Sequence, residues 1–222
     1  MKLLPLDTPE ILELAAGWLA QKENHQWLDF GNARQIITPA LLRIMAQRPS
    51  HFMRAYTSDR DDTPIGICCL NSVDRNFKSA TLWGAQGDKL FRHRGLGTLA
   101  ASKVLTLAFR DLGLHTINTW VVEGNPSIRL IQRLNFRYIG RQRQCHFMDG
   151  RAHDRLLFDL LASEHESFEE TRRARKSRSL QDTLRQNGDE DAGAELHSEN
   201  HPTPLRALAT AGSGAGLEIQ PG

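Results

Sequence analysis

Seven consecutive residues, Arg92-His93-Arg94-Gly95-Leu96-Gly97-Thr98, have the make-up of an anion site. Gly95 and Gly97 permit positive φ and let a ligand approach the bare backbone. They stand where a strand pattern gives way to a helical one, so the unpaired N–H groups of a helix N-terminus face whatever binds there, and the helix dipole favours negative charge. Arg92, His93 and Arg94 add positive charge at the same place. The chemistry this implies is a cradle for a pyrophosphate. Two glycines at this spacing also mark ordinary strand–helix turns, so the turn alone identifies no ligand. A dinucleotide fingerprint fits poorly: Ala100 stands at the third glycine position, where alanine is only sometimes tolerated, and the preceding strand is the third rather than the first. The Gly-Lys-Ser/Thr of a P-loop is missing.

Other reactive side chains are less telling. Cys68 and Cys69 sit in an apolar run with no base nearby and read as core residues rather than nucleophiles. Adjacent cysteines do not easily pair, and no C-x-x-C spacing occurs, so free thiols, a reducing compartment and no metal site are expected. Asp74, His51, His93 and His115 are candidate general bases by residue type only.

The chain has 222 residues, 40% hydrophobic and 24% charged, with a formal net charge of +2, which suits a globular protein with no overall bias toward nucleic acid or membrane. The start, Met1 to Asp7, has too short an apolar run for a signal peptide, and no stretch reaches the ~20 apolar residues of a membrane span. A cytoplasmic location is expected. Composition changes near Ser163. Residues 1–163 read as one domain, and 164–222 as a charged tail with too few apolar side chains to form a core, expected to be disordered.

The elements that must position the cradle follow from pattern. Thr8-Pro9 and Thr38-Pro39 each place a capping threonine before a proline at the first helical position. Residues 51–57, 65–73 and 79–85 read as three antiparallel strands joined by turns at 61–64 and 74–77. Gly95 to Leu112 has a 3.6-residue apolar period and Gly113 as a C′ residue. Then come a strand at 116–122, a helix at 125–134, and strand-like stretches at 136–140 and 144–148 that could be one interrupted strand. Asp149-Gly150 reads as a hairpin turn and 156–161 as the last strand. The order ααβββαβαββ is an α/β layout: a mostly antiparallel mixed sheet flanked by helices, with one strand–helix–strand crossover.

Several segments together resemble a known family. Arg92-x-x-Gly95-x-Gly97 matches the (Gln/Arg)-x-x-Gly-x-(Gly/Ala) signature of the GNAT superfamily, which binds acetyl-CoA. Leu105 to Ile117 resembles that family's helix and fifth strand, and Asn125-Pro126-Ser127-Ile128 to Phe136 resembles its N-x-x-S-I-x-L-x-x-x-L-G-F element. Ile65-Gly66 to Asp74, Tyr138 to Arg141 and Asp149 to Asp154 are similar to the branch that includes ribosomal-protein N-terminal acetyltransferases. The resemblance covers roughly residues 5–162. Three positions depart from it: Asn135 replaces a glycine, Asn125 and Ser127 are one residue closer than usual, and Ile131 stands where many members have a tyrosine that protonates the leaving thiolate.

The resemblance implies the GNAT fold with a splayed central strand pair, here 79–85 and 116–122, and acyl transfer from acetyl-CoA to a primary amine. It implies a pyrophosphate site at Arg92, His93, Arg94, Gly95, Leu96, Gly97 and Thr98. Backbone groups of 79–85, among them Trp83 and Gly84, would meet the acyl-pantetheine arm, with Trp83 lining the acyl site. Asn125 would bond the pantetheine or the adjacent backbone, or act as a helix cap. Ser127 would protonate the thiolate, or be only a cap. Trp18 and Trp120 are expected in the core.

The same resemblance implies that the acceptor is chosen by 23–35 and 141–153, which hold Trp27, Asp29, Phe30, Arg34, Arg141, Arg143, His146 and His153. These suit a small polar amine, such as an amino sugar, which is the preferred acceptor, with a peptide N-terminus, including that of a ribosomal protein, as the alternative. A solvated face is the preferred reading of Arg141, Arg143 and the tail arginines over a ribosome- or RNA-directed role. A monomer or homodimer is expected. The alternative from another class is an acyl-CoA-binding module without catalysis.

Overall fold

The computed structural model describes residues 1–29, 37–92 and 94–168. His93, Phe30, Arg34 and residues 169–222 of the expected tail lie outside the described residues. A seven-stranded sheet runs in the order β1-β2-β3-β4-β5-β7-β6. Its strands are β1 (Leu3–Pro5), β2 (Phe52–Thr57), β3 (Pro64–Asp74), β4 (Ser79–Gln86), β5 (Thr116–Val122), β6 (Arg137–Met148) and β7 (Arg151–Leu161). The helices are α1 (Pro9–Leu19), α2 (Lys22–His25), α3 (Pro39–Gln47), α4 (Leu96–Arg110) and α5 (Ile128–Arg133). All neighbouring strands are antiparallel except β4 and β5, which are parallel and joined through α4. No described helix is long and apolar enough to cross a membrane.

Local chemistry accounts for the element ends. The Thr8 and Thr38 hydroxyls accept from the amides of Ile11 and Leu41, and a proline follows each cap. Gly113, at φ +66°, ends α4, and the Leu114 amide reaches back to the Ala108 carbonyl. Asp149 and Gly150 both have positive φ, as a two-residue hairpin turn requires. That turn puts the strand partner at once beside it, so β7 begins at Arg151 rather than at 156. The stretches at 136–140 and 144–148 are one strand, β6, with register shifts at 138/140 and 142/146. β1 and α2 carry no pattern of their own because they have three and four residues. α5 is shorter than expected because Gly124, at φ +86°, and an Asn125-centred turn occupy what would be its first turn.

Two apolar layers sandwich the sheet. On one face Leu96, Ala100, Val104 and Ala108 of α4 and Ile131 of α5 pack against Ile65, Leu70, Leu82 and Ile117. On the other, Leu12, Ala15 and Leu19 of α1 and Leu42 of α3 cover Met53, Ala55 and Ile67. Strand alternation sends Cys68 into the first layer and Cys69 into the second.

After β7 the chain packs along α4. Glu164 pairs with Arg137 at 2.6 Å, His165 Nε2 lies 2.9 Å from Thr106 Oγ1 with its ring against Phe109, and the Phe168 amide donates to Ser102 Oγ at 2.8 Å. Two such hydrogen bonds contribute about 1 kcal/mol each, and about 2–4 °C of melting temperature follows each kcal/mol at this size. A chain ending at Leu161 should therefore melt about 4–8 °C below one ending at Phe168, as scanning calorimetry would record.

Candidate functional site

The central strand pair opens at one end. β4 and β5 pair only through Ser79–Thr116, Ala80–Ile117 and Thr81–Asn118. Beyond these, β4 runs on to Gln86 and β5 to Val122 without pairing to each other. At the crotch of this fork the buried Thr119 Oγ1 donates to the Leu82 carbonyl at 3.0 Å, filling with a side chain the place of the next ladder bond. Past that point the two strands no longer pair with each other, and a gap between strand edges suits an extended, amide-bearing ligand.

The turn after β4 brings the anion cradle to the same end. Gly95, at φ +76° and in the left-handed region, precedes α4, and no side chain caps the helix. The first helical bond runs from the Leu99 amide to the Gly95 carbonyl, which leaves the amides of Leu96, Gly97 and Thr98 without intrahelical acceptors. Leu96 and Thr98 bury their side chains, so each offers the site only its backbone. Arg92 and Arg94 are exposed beside it, and the Arg94 guanidinium lies 5.1 Å from the Phe91 ring. A Cβ on Gly97 would meet Leu130, the Tyr56 hydroxyl and Gln86 at ordinary distances of 3.6–3.9 Å.

A polar clamp fixes the strand end behind the cradle. Tyr56 Oη donates to Gln86 Oε1 at 3.0 Å, and Gln86 Nε2 donates to the carbonyls of Asp88 and Ile65 at 2.9 and 3.3 Å. The Tyr56 ring crosses Gly66 so closely that a Cβ there would lie 2.4 Å from it. Burial raises the Tyr56 phenol above its ordinary range, so it acts as a neutral donor. Neither Tyr56 nor Gln86 was expected to shape the site. The signal available was a tyrosine facing a glycine one strand away, legible only once β2 and β3 are in register.

α5 lies beside the cradle, since Leu130 reaches the Gly97 position. Asn125 Oδ1 accepts from the Ser127 amide at 2.9 Å, so Asn125 holds the turn and keeps its Nδ2 amide for other partners. The Ser127 hydroxyl makes no capping bond. Trp83 packs partly buried against the α1 layer, and Gly84 follows it on the open stretch of β4. Ile131 is buried in the α4 layer.

Three base candidates lie elsewhere. His51, Asp74 and His115 adjoin the start of β2, the end of β3 and the start of β5, all at the closed end of the fork. Asp74 accepts from the amides of Asn76 and Phe77, and burial with Arg48 nearby lowers His51. Burial pushes the Cys68 thiol up to about 12 and Cys69 well above its ordinary value, so neither is a nucleophile. Among the described residues no cluster of three metal-ligating side chains occurs.

Of the residues expected at the acceptor side, His146 and Asp29 converge through Arg155, at 3.1 and 3.0 Å, while Arg141 pairs with Asp154 at 3.2 Å. Trp120 is not a plain core residue: it is partly exposed and lies 4.0 Å under the Arg155 guanidinium. The available signal was an arginine at the head of the apolar run Arg155-Leu156-Leu157-Phe158.

Replacing Thr119 by valine keeps shape but leaves the Leu82 carbonyl unpaired in a buried place. The expected cost is about 1–3 kcal/mol, read by urea denaturation.

Comparison with known proteins agrees with this geometry. The family described as acetyltransferase (GNAT) domain matches residues 2–137. YdaF of Bacillus subtilis strain 168, provisionally named a ribosomal N-acetyltransferase, is 29% identical over 109 residues, 48% of this chain and 58% of that protein. The uncharacterized N-acetyltransferase p20 of Bacillus licheniformis is 32% identical over 108 residues, 47% of this chain and 58% of its own length. The matches thus span less than two thirds of either relative. The spermidine N-acetyltransferase of Vibrio cholerae, solved with CoA and spermine, superposes with a TM-score of 0.65 at 17% identity, over 73% of this chain and 96% of that one, and shows a shared fold. With the forked sheet, the uncapped helix start and the family match over more than half its length, this chain belongs to the GNAT acetyltransferase family.

Proposed function

We propose that this protein transfers an acetyl group from acetyl-CoA to a primary amine. One observation carries the reading: the open fork of β4 and β5 and the uncapped start of α4 lie at the same end of the sheet. The residues present fit the donor. The amides of Leu96, Gly97 and Thr98, with Arg92 and Arg94 and with His93 between them in the sequence, would hold the pyrophosphate. The stretch of β4 past Leu82, which does not pair with β5 and includes Trp83 and Gly84, would hold the pantetheine arm, and Asn125 Nδ2 would add a further bond.

Acetyl-CoA supplies an activated acyl carbon. The amine nitrogen forms the new C–N bond while the C–S bond breaks, so the amine must lose a proton and the thiolate must gain one. We assign the second task to Ser127, which precedes the helix whose Leu130 reaches the Gly97 position. The Ser127 hydroxyl makes no capping bond, and Ile131 can supply no proton.

For the acceptor we prefer a small polar amine such as an amino sugar. The mixed aromatic and charged lining from Trp120, His146, Arg155 and Asp29 supports that choice. The second reading is the N-terminal amine of a protein. It is favoured by the names of YdaF and of the Vibrio fischeri ribosomal-protein-S5-alanine acetyltransferase, whose structure superposes with a TM-score of 0.60 at 15% identity, over 74% of this chain and 93% of that one. Thiol release and product mass spectrometry with spermidine, glucosamine 6-phosphate, a nucleotide amino sugar and alanine-starting peptides separate the two. Thiol release with none of them would leave only an acyl-CoA-binding module.

Gly97→Val should weaken acetyl-CoA binding by at least about tenfold in calorimetry while the protein still folds, since a Cβ there meets only ordinary contacts at 3.6–3.9 Å. Unchanged affinity would refute the cradle. Ser127→Ala should lower turnover by about 10²–10⁴-fold at a similar acetyl-CoA Michaelis constant. Normal turnover in that variant would eliminate Ser127 as the acid.

A further inference from the structure

Arg155 stands in register with Val122, the last residue of β5, and so at the open end of the fork. Val121 points into the α4 layer, so by strand alternation Trp120 and Arg155 occupy the opposite face. There the Arg155 side chain is only 13% exposed, stacked 4.0 Å over the Trp120 ring. Its Nη1 donates to Asp29 Oδ2 and its Nη2 meets Oδ1, both at 3.0 Å, a two-pronged pair. Nη2 also donates to His146 Nδ1 at 3.1 Å. His146 is buried, and its Nε2 lies 2.6 Å from the Gln26 carbonyl.

The direction of these bonds is determined. A carbonyl only accepts, so Nε2 carries the hydrogen, and a guanidinium only donates, so Nδ1 is bare. Both ring nitrogens of His146 are thus engaged by protein groups, Nε2 as donor and Nδ1 as acceptor. The network has another product: it ties Gln26 and Asp29, in the chain after α2, to β6 and β7 at the mouth of the fork. Asp29 is 60% exposed, and an ion pair with so exposed a partner adds little stability. What it fixes is position.

We propose that Arg155 is a positioning residue for the acceptor amine, holding Gln26–Asp29 against the sheet through Asp29 and His146 so that the face opposite α4 presents an ordered acceptor wall. This rests on the transferase reading above. The cradle for the donor lies on the α4 side, so the two halves of the site should respond separately.

The test compares the wild-type protein with Arg155→Met, which keeps the stem over Trp120, and with Arg155→Lys, which keeps the charge but cannot fork. Three quantities are measured: amide hydrogen exchange over 24–29, the acetyl-CoA dissociation constant by calorimetry, and steady-state kinetics with whichever amine of the panel above turns over fastest. In Arg155→Met, exchange over 24–29 should rise about tenfold and the acceptor Michaelis constant by a similar factor, against an acetyl-CoA affinity changed less than about twofold. Arg155→Lys should recover part of the loss. Unchanged exchange over 24–29 overturns the tether, and acetyl-CoA affinity falling in step with the acceptor constant overturns the division between the two faces. Wild-type protein that binds acetyl-CoA but turns over no amine overturns the transferase reading and the acceptor role with it, while exchange still reports separately on the tether.

Discussion

The parting of β4 from β5 after three residue pairs is the constraint on which the rest of the site depends. A continuous parallel ladder would consume the backbone groups on both strands and leave nothing for an extended ligand. The fork is kept open by covering each strand on its other edge. β4 is zipped to β3 along almost its whole length, and β5 to β7 from Thr116 to Val122. Thr119 spans the crotch, so the opening starts at a defined place rather than fraying.

Two fastenings then set what borders the fork. The Tyr56–Gln86 clamp steadies the end of β4 just before the chain turns toward the cradle, and it needs Gly66 to let the ring pass. On the other face Arg155 ties the chain after α2 to β7. One is a neutral hydrogen-bond chain inside the α4 layer, the other a charged pair that reaches the surface. Their chemistry matches their burial: an uncompensated charge would be costly beside Gly66, and is tolerable beside an exposed Asp29.

Much of this architecture was legible in the amino-acid sequence because its signals are local. Threonine caps followed by proline, the apolar period of α4, Gly113 and Asp149-Gly150 each specify a backbone event within a few residues, and each occurs where expected. β1 escaped because three residues carry no periodicity, and it exists only through pairing with β2. The same limit applies to the site. The 92–98 turn announces itself through spacing, whereas Tyr56, Thr119 and Arg155 acquire meaning only from strand register. Ser127 lost its expected cap role because Asn125 took the turn's hydrogen bond.

The adjacent cysteines have a practical use. Cys68 and Cys69 are both fully enclosed, yet in different apolar layers, whereas Cys145 is exposed. A thiol-labelling reagent should therefore mark one cysteine at once. It can reach the other two together only when both sides of the sheet have opened. The interval between the first and the later labelling events would time whole-domain unfolding in the unmodified protein, with the chain's own sulfur atoms as the clock.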